Sequence, residues 1–193
     1  MIEFAVLPYS SELDTDIARL FLAEGYQRRP HYLAWIFRPP AGQALIAVAR
    51  DAASNGQIVG VLGFVPWEVT ASGESHSAYL AIDLVVDPAY RGRGIFKGLG
   101  KAALAAAASE GASFVWGFPN ASAAHAWFNR FGWVRLGSPP MMVRPLRSGF
   151  LGRRIGLKSR AFDLPLMASP RTVEAQPIDR FGADADAFWA EAS

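Results

Sequence analysis

The chain has 193 residues, 51% of them hydrophobic, and a formal net charge of +2. This composition excludes a disordered chain, and the length fits one folded domain, alone or with an appendage. It has no cysteine and only three histidines. Disulfide scaffolds, thiol nucleophiles and cysteine-ligated zinc are therefore excluded, and we expect no metal site. The sequence opens without a basic, apolar leader and has no run of roughly 20 apolar residues, so we expect a cytoplasmic protein without membrane contact.

The charges are unevenly distributed along the chain. Residues 88–162 contain twelve lysines and arginines but a single acid, Glu110, whereas the rest of the chain contains seven basic residues and sixteen acids. Such a segment favours an anionic ligand. A solvated or interface-forming basic face is the alternative interpretation.

The first half of the chain predicts short helices between strands. An apolar stripe formed by Ile17, Leu20 and Phe21 predicts a helix that Ser10 or Ser11 begins and a glycine ends. The predicted elements are a strand at 2–8, helices at 10–25 and 32–37, and strands at 44–50 and 58–69. The last two strands are joined by a hairpin turn at 54–56.

The second half predicts a strand at 78–86, a helix at 95–110, a strand at 113–118, a helix at 122–131, and a strand pair at 133–136 and 141–146. This order indicates an α/β fold. From residue 147 the sequence has glycines, prolines and basic residues with weak periodicity. We therefore divide the chain into a domain at 1–146 and a basic linker or tail at 147–193, with a helix at 181–191 that either packs back or begins a second domain.

A glycine-rich loop follows the buried strand and opens the helix at Ile95. Gly92 and Gly94 let the backbone approach a ligand closely, and Arg91 and Arg93 add positive charge. Because the free amides of a helix N-terminus attract anions, this loop predicts a phosphate-bearing ligand. A tight turn with solvated arginines is the alternative. The spacing matches neither the P-loop nor the dinucleotide fingerprint.

Two stretches resemble the signatures of the GNAT superfamily of N-acetyltransferases. Leu84-x-Val86-x-Pro88-x-x-Arg91-x-x-Gly94 is similar to the acyl-CoA-binding signature, and the block from Gly117-Phe118-Pro119-Asn120 to Gly132-Trp133 is similar to the second signature. The resemblance implies a mixed, mostly antiparallel central sheet flanked by helices and splayed at strands 4 and 5.

The resemblance further implies transfer of an acetyl group from acetyl-CoA, as co-substrate, to a primary amine of a small molecule; an amino sugar is our first choice. It places the cofactor on the following residues: Leu84, Val85, Val86, Arg91, Gly92, Arg93, Gly94, Ile95, Phe96 and Asn120. We expect no nucleic-acid partner, because the basic residues follow a glycine loop and a tail and form no recognised reading helix. We expect no membrane partner, and a homodimer is left open.

Three features depart from the family pattern. The block from Asn120 to Gly132 is one residue longer than the common pattern. Phe96 occupies the place of a small residue, and Phe128 occupies the place where many members have a tyrosine as general acid. A phenyl ring cannot protonate a departing thiolate. A catalytically inactive acyl-CoA-binding or regulatory module is therefore the first alternative, and a structural domain with a basic interface is the second.

The amine needs a base, and Asp83 and Glu68 are the acids on the central strands. Asp83 interrupts an apolar strand, which costs free energy unless the carboxylate is paired or faces a cleft. For both acids the alternative is a structural or solvated carboxylate. Among the aromatic residues we select Trp67 as the candidate for substrate binding.

Overall fold

The computed structural model describes residues 1–137 except 29, 41 and 72, together with the isolated residues 182, 183, 186, 187 and 190. The chain divides into the units Met1–Leu136 and Gly137–Ser193, and the first is described below. The predicted boundary at 146 and the predicted strand at 141–146 lie outside the described residues. Within the predicted helix at 181–191, the described residues Ala183, Asp186, Ala187 and Ala190 are helical.

The described residues of the first unit form nine α-helices and β-strands. They are β1 (Ile2–Pro8), α1 (Asp14–Ala23), α2 (Pro30–Phe37), β2 (Leu45–Asp51), β3 (Gln57–Ala71), β4 (Glu74–Val86), α3 (Ile95–Ser109), β5 (Phe114–Gly117) and α4 (Ala121–Phe131). Each corresponds to a predicted element. The predicted start of α1 is wrong by about one turn, because Ser10 makes no capping hydrogen bond and a 3₁₀ turn at Ser11–Leu13 precedes the helix. Residues 133–136 form no strand with the described residues.

The five strands form one sheet in the order β1-β2-β3-β4-β5. All neighbours are antiparallel except β4 and β5, which are parallel. Side chains of α1 and α2, among them Leu20 and Phe37, pack on one face of the sheet. Leu99 of α3 and Trp127 of α4 pack on the other. The predicted α/β fold with a mixed, mostly antiparallel sheet is confirmed.

The sheet opens between β4 and β5. The two strands pair only from Ala78–Phe114 to Ala81–Gly117. Beyond Ala81, β4 continues to Val86 without β5 beside it. On its other side β4 has a bulge, because Val61 faces Val85 and Gly63 faces Ile82, so that two residues of β4 lie opposite one of β3. Asp83, one of these two, has a φ of 50°. The predicted splay at strands 4 and 5 is confirmed, and the bulge lies beside it.

Candidate functional site

A cavity of about 310 Å³ lies where β5 diverges from β4. Its walls come from the α1–α2 loop, the bulge, the end of β5 and the start of α4. The lining residues that carry polar side chains are Tyr26, Arg28, Asp83, Asn120, Trp127 and Trp133. The polar groups and the open strands therefore converge on one place, which is typical of a ligand site.

Asp83 is the only carboxylate among the described residues that line this cavity. Its side chain is 10% exposed, and Oδ1 accepts a hydrogen bond of 2.7 Å from Nη2 of Arg28. Oδ2 is buried and has no hydrogen-bond partner among the described residues. A buried carboxylate oxygen without a donor is costly, so Oδ2 is an acceptor available to a ligand.

Burial raises the pKa of Asp83, and the positive charge of Arg28 and the nearby Tyr32 hydroxyl oppose that rise without cancelling it. Perturbed carboxylates inside clefts are frequent at functional sites. A raised pKa also makes the carboxylate a stronger base than an exposed aspartate. Asp83 both lines a cavity and pairs with Arg28, and either circumstance offsets the cost of a carboxylate in an apolar strand. Its role as a base stays a prediction.

The predicted phosphate loop has open space in front of its backbone. Gly92 and Gly94 have φ values of 78° and 75°, and a Cβ built on either would meet no atom within 4 Å. Gly94 directly precedes α3, and the helix has no side-chain cap and no acidic residue in its first turn. The amides of Ile95 and Phe96 therefore lie at an uncapped, positive helix end, which suits phosphate groups.

The two predicted phosphate-binding arginines make contacts within the protein. Arg91 forms an ion pair with Glu24, at the C-terminal end of α1. Arg93 donates to the carbonyl of Ala89 at 3.3 Å, and its guanidinium lies 4.8 Å from the centre of the Tyr90 ring. Both contacts are at the surface, so either arginine can exchange its partner for a phosphate at small cost.

The remaining predicted cofactor residues border the cavity or the core beside it. Leu84 lines the cavity, whereas Val85 and Val86 pack into the core on opposite faces of the sheet. Asn120 also lines the cavity, but its Oδ1 accepts from the amide of Ala123 at 2.9 Å and so caps α4. Phe96 packs against Trp127 with ring centres 5.1 Å apart, so the position predicted for a small residue is part of an aromatic cluster.

Phe128 is not among the residues that line the cavity; its neighbour Trp127 is. The Phe128 ring is half-buried, with the Arg135 guanidinium 5.5 Å from its centre. Tyr26, in the α1–α2 loop, is the only phenol among the described lining residues. Sequence reasoning missed Tyr26 and Arg28, because neither belongs to a motif.

Glu68 and Trp67 lie on β3 away from the described cavity lining. Glu68 is exposed and accepts a hydrogen bond from Ser75, across the β3–β4 turn. Trp67 is 46% exposed and packs edge-on against Trp116 at 5.8 Å, and Trp116 in turn packs against Phe118 at 5.5 Å. Phe118 lines the cavity. The structure therefore links Trp67 to the cavity through a row of aromatic rings but does not bring Glu68 close to Asp83.

A sequence model of the acetyltransferase (GNAT) domain matches residues 10–135, which is more than half of the chain. The chain belongs to the GNAT acetyltransferase family. The match spans the phosphate loop, the bulge and the Asn120–Gly132 block, so the predicted membership is confirmed. No curated protein matches the sequence.

Solved structures similar to this GNAT chain include an acetyltransferase from Trypanosoma brucei, with 22% identity and a TM-score of 0.56 over 74% of this chain and all of that one. An aminoglycoside acetyltransferase from an uncultured soil metagenomic sample has 20% identity and a TM-score of 0.54, covering 74% and 99% of the two chains. Glucosamine-6-phosphate N-acetyltransferase from Arabidopsis thaliana has 15% identity and a TM-score of 0.55, covering 74% and 98%. At these identities the likeness shows the fold.

Among the described residues of this GNAT protein, no group of three or more His, Asp or Glu side chains could hold a metal ion. Of the helices described, none is both long and apolar enough to cross a bilayer.

Proposed function

We propose that this GNAT protein transfers the acetyl group of acetyl-CoA to a primary amine of a small molecule. The observation that supports this most strongly is the Asp83 carboxylate, buried at the opening between β4 and β5, with one oxygen that receives no hydrogen bond from the part of the chain that the structure describes. A neutral amine that attacks a thioester acquires a positive charge on nitrogen and must lose a proton to give the amide. A carboxylate of raised pKa at the cavity wall is a suitable acceptor for that proton.

Bound acetyl-CoA supplies the acetyl group as an activated thioester. Its phosphates fit the open space before Gly92 and Gly94 and the uncapped start of α3. The pantetheine arm fits the edge of β4 beyond Ala81, where β5 no longer pairs and no described strand bonds to the backbone of Leu84 to Val86 on that side. Arg91 and Arg93 contribute positive charge at the entrance.

In this proposal Asp83 Oδ2 accepts a proton from the acceptor amine as its nitrogen bonds to the acetyl carbon and the carbon–sulfur bond breaks. The thiolate takes its proton from Tyr26 or from solvent, since Phe128 has no proton to give. Low exposure of Asp83 strengthens its attraction for the positive charge that develops on the amine nitrogen during attack.

An amino sugar is the acceptor that we propose first. The rings of Trp67, Trp116 and Phe118 form a continuous row that ends in the cavity, and Trp67 is 46% exposed at its outer end. Aromatic faces pack against the C–H faces of sugar rings. The Nε1 of Trp116 is buried with no partner among the described residues. The aminoglycoside and glucosamine-6-phosphate acetyltransferases among the similar structures agree with this choice.

An acyl-CoA-binding module without catalysis is the second candidate, and Phe128 is the observation that favours it. The two candidates agree on cofactor binding and differ on release of free thiol. A panel of amines, amino sugars and sugar nucleotides with acetyl-CoA, followed by a thiol reagent, separates them. Under our proposal at least one amine gives thiol and its N-acetyl product; binding of acetyl-CoA with no thiol across the panel supports the module.

Two matched variants test which predicted acid acts as the base. Asp83→Asn removes the cavity carboxylate and keeps its shape, and we expect kcat to fall by roughly 10²–10⁴-fold. Glu68→Gln changes an exposed carboxylate outside the described lining, and we expect only a small change. Equal rates for Asp83→Asn and wild type would remove Asp83 from the mechanism.

A further inference from the structure

Arg28 occupies a position that no motif marks. It lies in the loop between α1 and α2, 55 residues before Asp83 in the chain, yet its Nη2 bonds to Asp83 Oδ1 at 2.7 Å. Both side chains line the same cavity. The loop on one side of the sheet is therefore connected directly to the bulge of β4.

Two aromatic rings, one in α1 and one in α2, flank the Arg28 guanidinium. Its central carbon lies 4.2 Å from the centre of the Phe21 ring in α1 and 4.4 Å from that of the Tyr32 ring in α2. Both distances are within the range of favourable cation–π contacts. The Nε is buried with no partner among the described residues, so the rings and Asp83 fix the guanidinium.

The backbone of the bulge is strained at the residue that carries the carboxylate. Asp83 has a φ of 50°, a left-handed conformation that is strained for a residue other than glycine. Arg28 binds this side chain from the α1–α2 loop. It bonds to Oδ1 and leaves Oδ2 without a hydrogen bond from the described residues.

We infer that Arg28 is a positioning residue for Asp83, holding Oδ1 so that Oδ2 remains available to the acceptor amine. The inference rests on the proposed function, in which Asp83 is the base. Arg28 itself touches neither the amine nor the acetyl group in this assignment. Its effect is to fix the direction of the carboxylate and to set the charge that surrounds it.

The charge effect has a definite sign. Burial raises the pKa of Asp83 and Arg28 opposes that rise. The other titratable groups near Asp83 are Tyr32 of α2, which acts on its carboxylate, and Tyr26 of the α1–α2 loop, which lines the same cavity. The described lining residues from β3, β5 and α4 are not ionisable. Without Arg28, Asp83 therefore keeps its proton to a higher pH and serves as a base only in more alkaline solution.

The test compares Arg28→Met, which keeps chain length and removes the charge, with Arg28→Lys, which keeps the charge. For the active wild type and each variant, kcat/KM is measured against pH with saturating acetyl-CoA. In Arg28→Met we expect the acid limb of the pH profile of kcat/KM to move to higher pH. We also expect the rate at pH 7 to fall at least about tenfold, which is part of the contribution of a general base. Arg28→Lys should recover part of the rate and bring the acid limb part of the way back, and its KM for acetyl-CoA should be unchanged.

A second measurement uses the chain without any ligand. The Asp83 side-chain carboxyl carbon, assigned in the ¹³C NMR spectrum by comparison with Asp83→Asn, is titrated in wild type and in both variants. We expect a higher pKa in Arg28→Met and an intermediate one in Arg28→Lys. If Arg28→Met does not fold, Arg28→Gln provides the same loss of charge.

The outcomes are distinct for the two proposals. A lower melting temperature with an unchanged Asp83 pKa and an unchanged acid limb would make Arg28 merely structural and overturn the inference. A wild type that acetylates no amine would overturn the proposed function. In that case the NMR titration still decides whether Arg28 controls the protonation and environment of Asp83.

Discussion

The Tyr90 hydroxyl donates a hydrogen bond of 2.9 Å to Oδ2 of Asp51 and so connects the phosphate loop to the β2–β3 hairpin. Asp51 is 8% exposed and also accepts from the amide of Ala53 at 3.1 Å and from Ser54. Arg93 packs on the same Tyr90 ring. The loop that we propose for the cofactor phosphates is therefore anchored through Tyr90 on a buried carboxylate.

Tyr90→Phe should lower stability by a few degrees of Tm at neutral pH. The Tyr90 bond is the largest of the contacts that lower the pKa of Asp51. A folded-state pKa below the unfolded value contributes stability that is present above the unfolded pKa and is lost as the pH falls through the folded pKa. The difference between wild type and variant should therefore narrow in strong acid, which calorimetry across a pH series measures.

Tyr79→Phe is the control. The Tyr79 hydroxyl makes no side-chain hydrogen bond with the described residues, and the Tyr79 ring is buried. Its effect on Tm should be independent of pH between neutral and acid. If the loss of Tm in Tyr90→Phe is also independent of pH, the contact with Asp51 contributes no pH-dependent stability.

Gly94→Ala tests the phosphate loop, and Gly111→Ala, just after the end of α3, is the matched control. Their φ values are 75° and 79°, and an added Cβ would meet no atom at either position. Both substitutions carry the same backbone strain, of order 1–3 kcal/mol, but only the first puts a methyl group where the phosphates are proposed to lie. We expect similar losses of Tm without ligand.

Acetyl-CoA then separates the two variants. A ligand at 100 times its Kd stabilises the wild type by about 2.7 kcal/mol. The rise in Tm should persist in Gly111→Ala and largely disappear in Gly94→Ala when both are melted with the same acetyl-CoA concentration. A full rise in both would place the phosphates elsewhere.

Glu24→Gln tests whether Arg91 is available to the cofactor. The ion pair between them is partly solvated, with side chains 54% and 25% exposed, so its loss should change stability little. With the competing carboxylate removed, we expect coenzyme A to bind up to about fivefold more tightly. Calorimetric titration of pantetheine, which has no phosphates, should show no gain. Weaker binding of coenzyme A would mean that Glu24 orients Arg91.

The sequence predicts the elements of the first unit well because each buries a regular apolar stripe, and the two signatures mark the loop and the second block. It does not predict Arg28, since the contact with Asp83 joins positions 55 residues apart. Such a contact depends on how α1 and α2 dock on the sheet, and neither local propensity nor spacing records that. Asp83 was predictable because a carboxylate in an apolar strand is itself an anomaly.

Helix register explains a second limit of sequence reasoning. Counting back from Gly132 selects Phe128, but the cavity is lined by Trp127. A helix turns about 100° per residue, so the extra residue in the Asn120–Gly132 block changes which side chain faces inward. Caps at both ends, Asn120 and Gly132, keep α4 regular, and the shift is therefore not absorbed by a distortion.

The last prediction concerns two glycines inside α3 that look equivalent in sequence. An added Cβ at Gly98 would overlap the ring of Phe4 in β1, and one at Gly100 would overlap the ring of Phe131 in α4. Replacing glycine by alanine within a helix gains about 1 kcal/mol in propensity, whereas overpacking costs roughly 1–3 kcal/mol. The sign of each substitution therefore depends on whether the neighbouring ring can move.

Phe4 is 41% exposed and can rotate into solvent, whereas Phe131 is packed against Phe96 at 5.7 Å and Trp127 at 5.0 Å. We expect Gly98→Ala to leave the free energy of unfolding nearly unchanged and Gly100→Ala to lower it by about 1–2 kcal/mol, as measured by urea denaturation. A double-mutant cycle with Phe131→Leu tests the cause, because the loss should shrink when the smaller side chain gives way. Additive losses in that cycle would show that the Phe131 ring is not what opposes a side chain at Gly100.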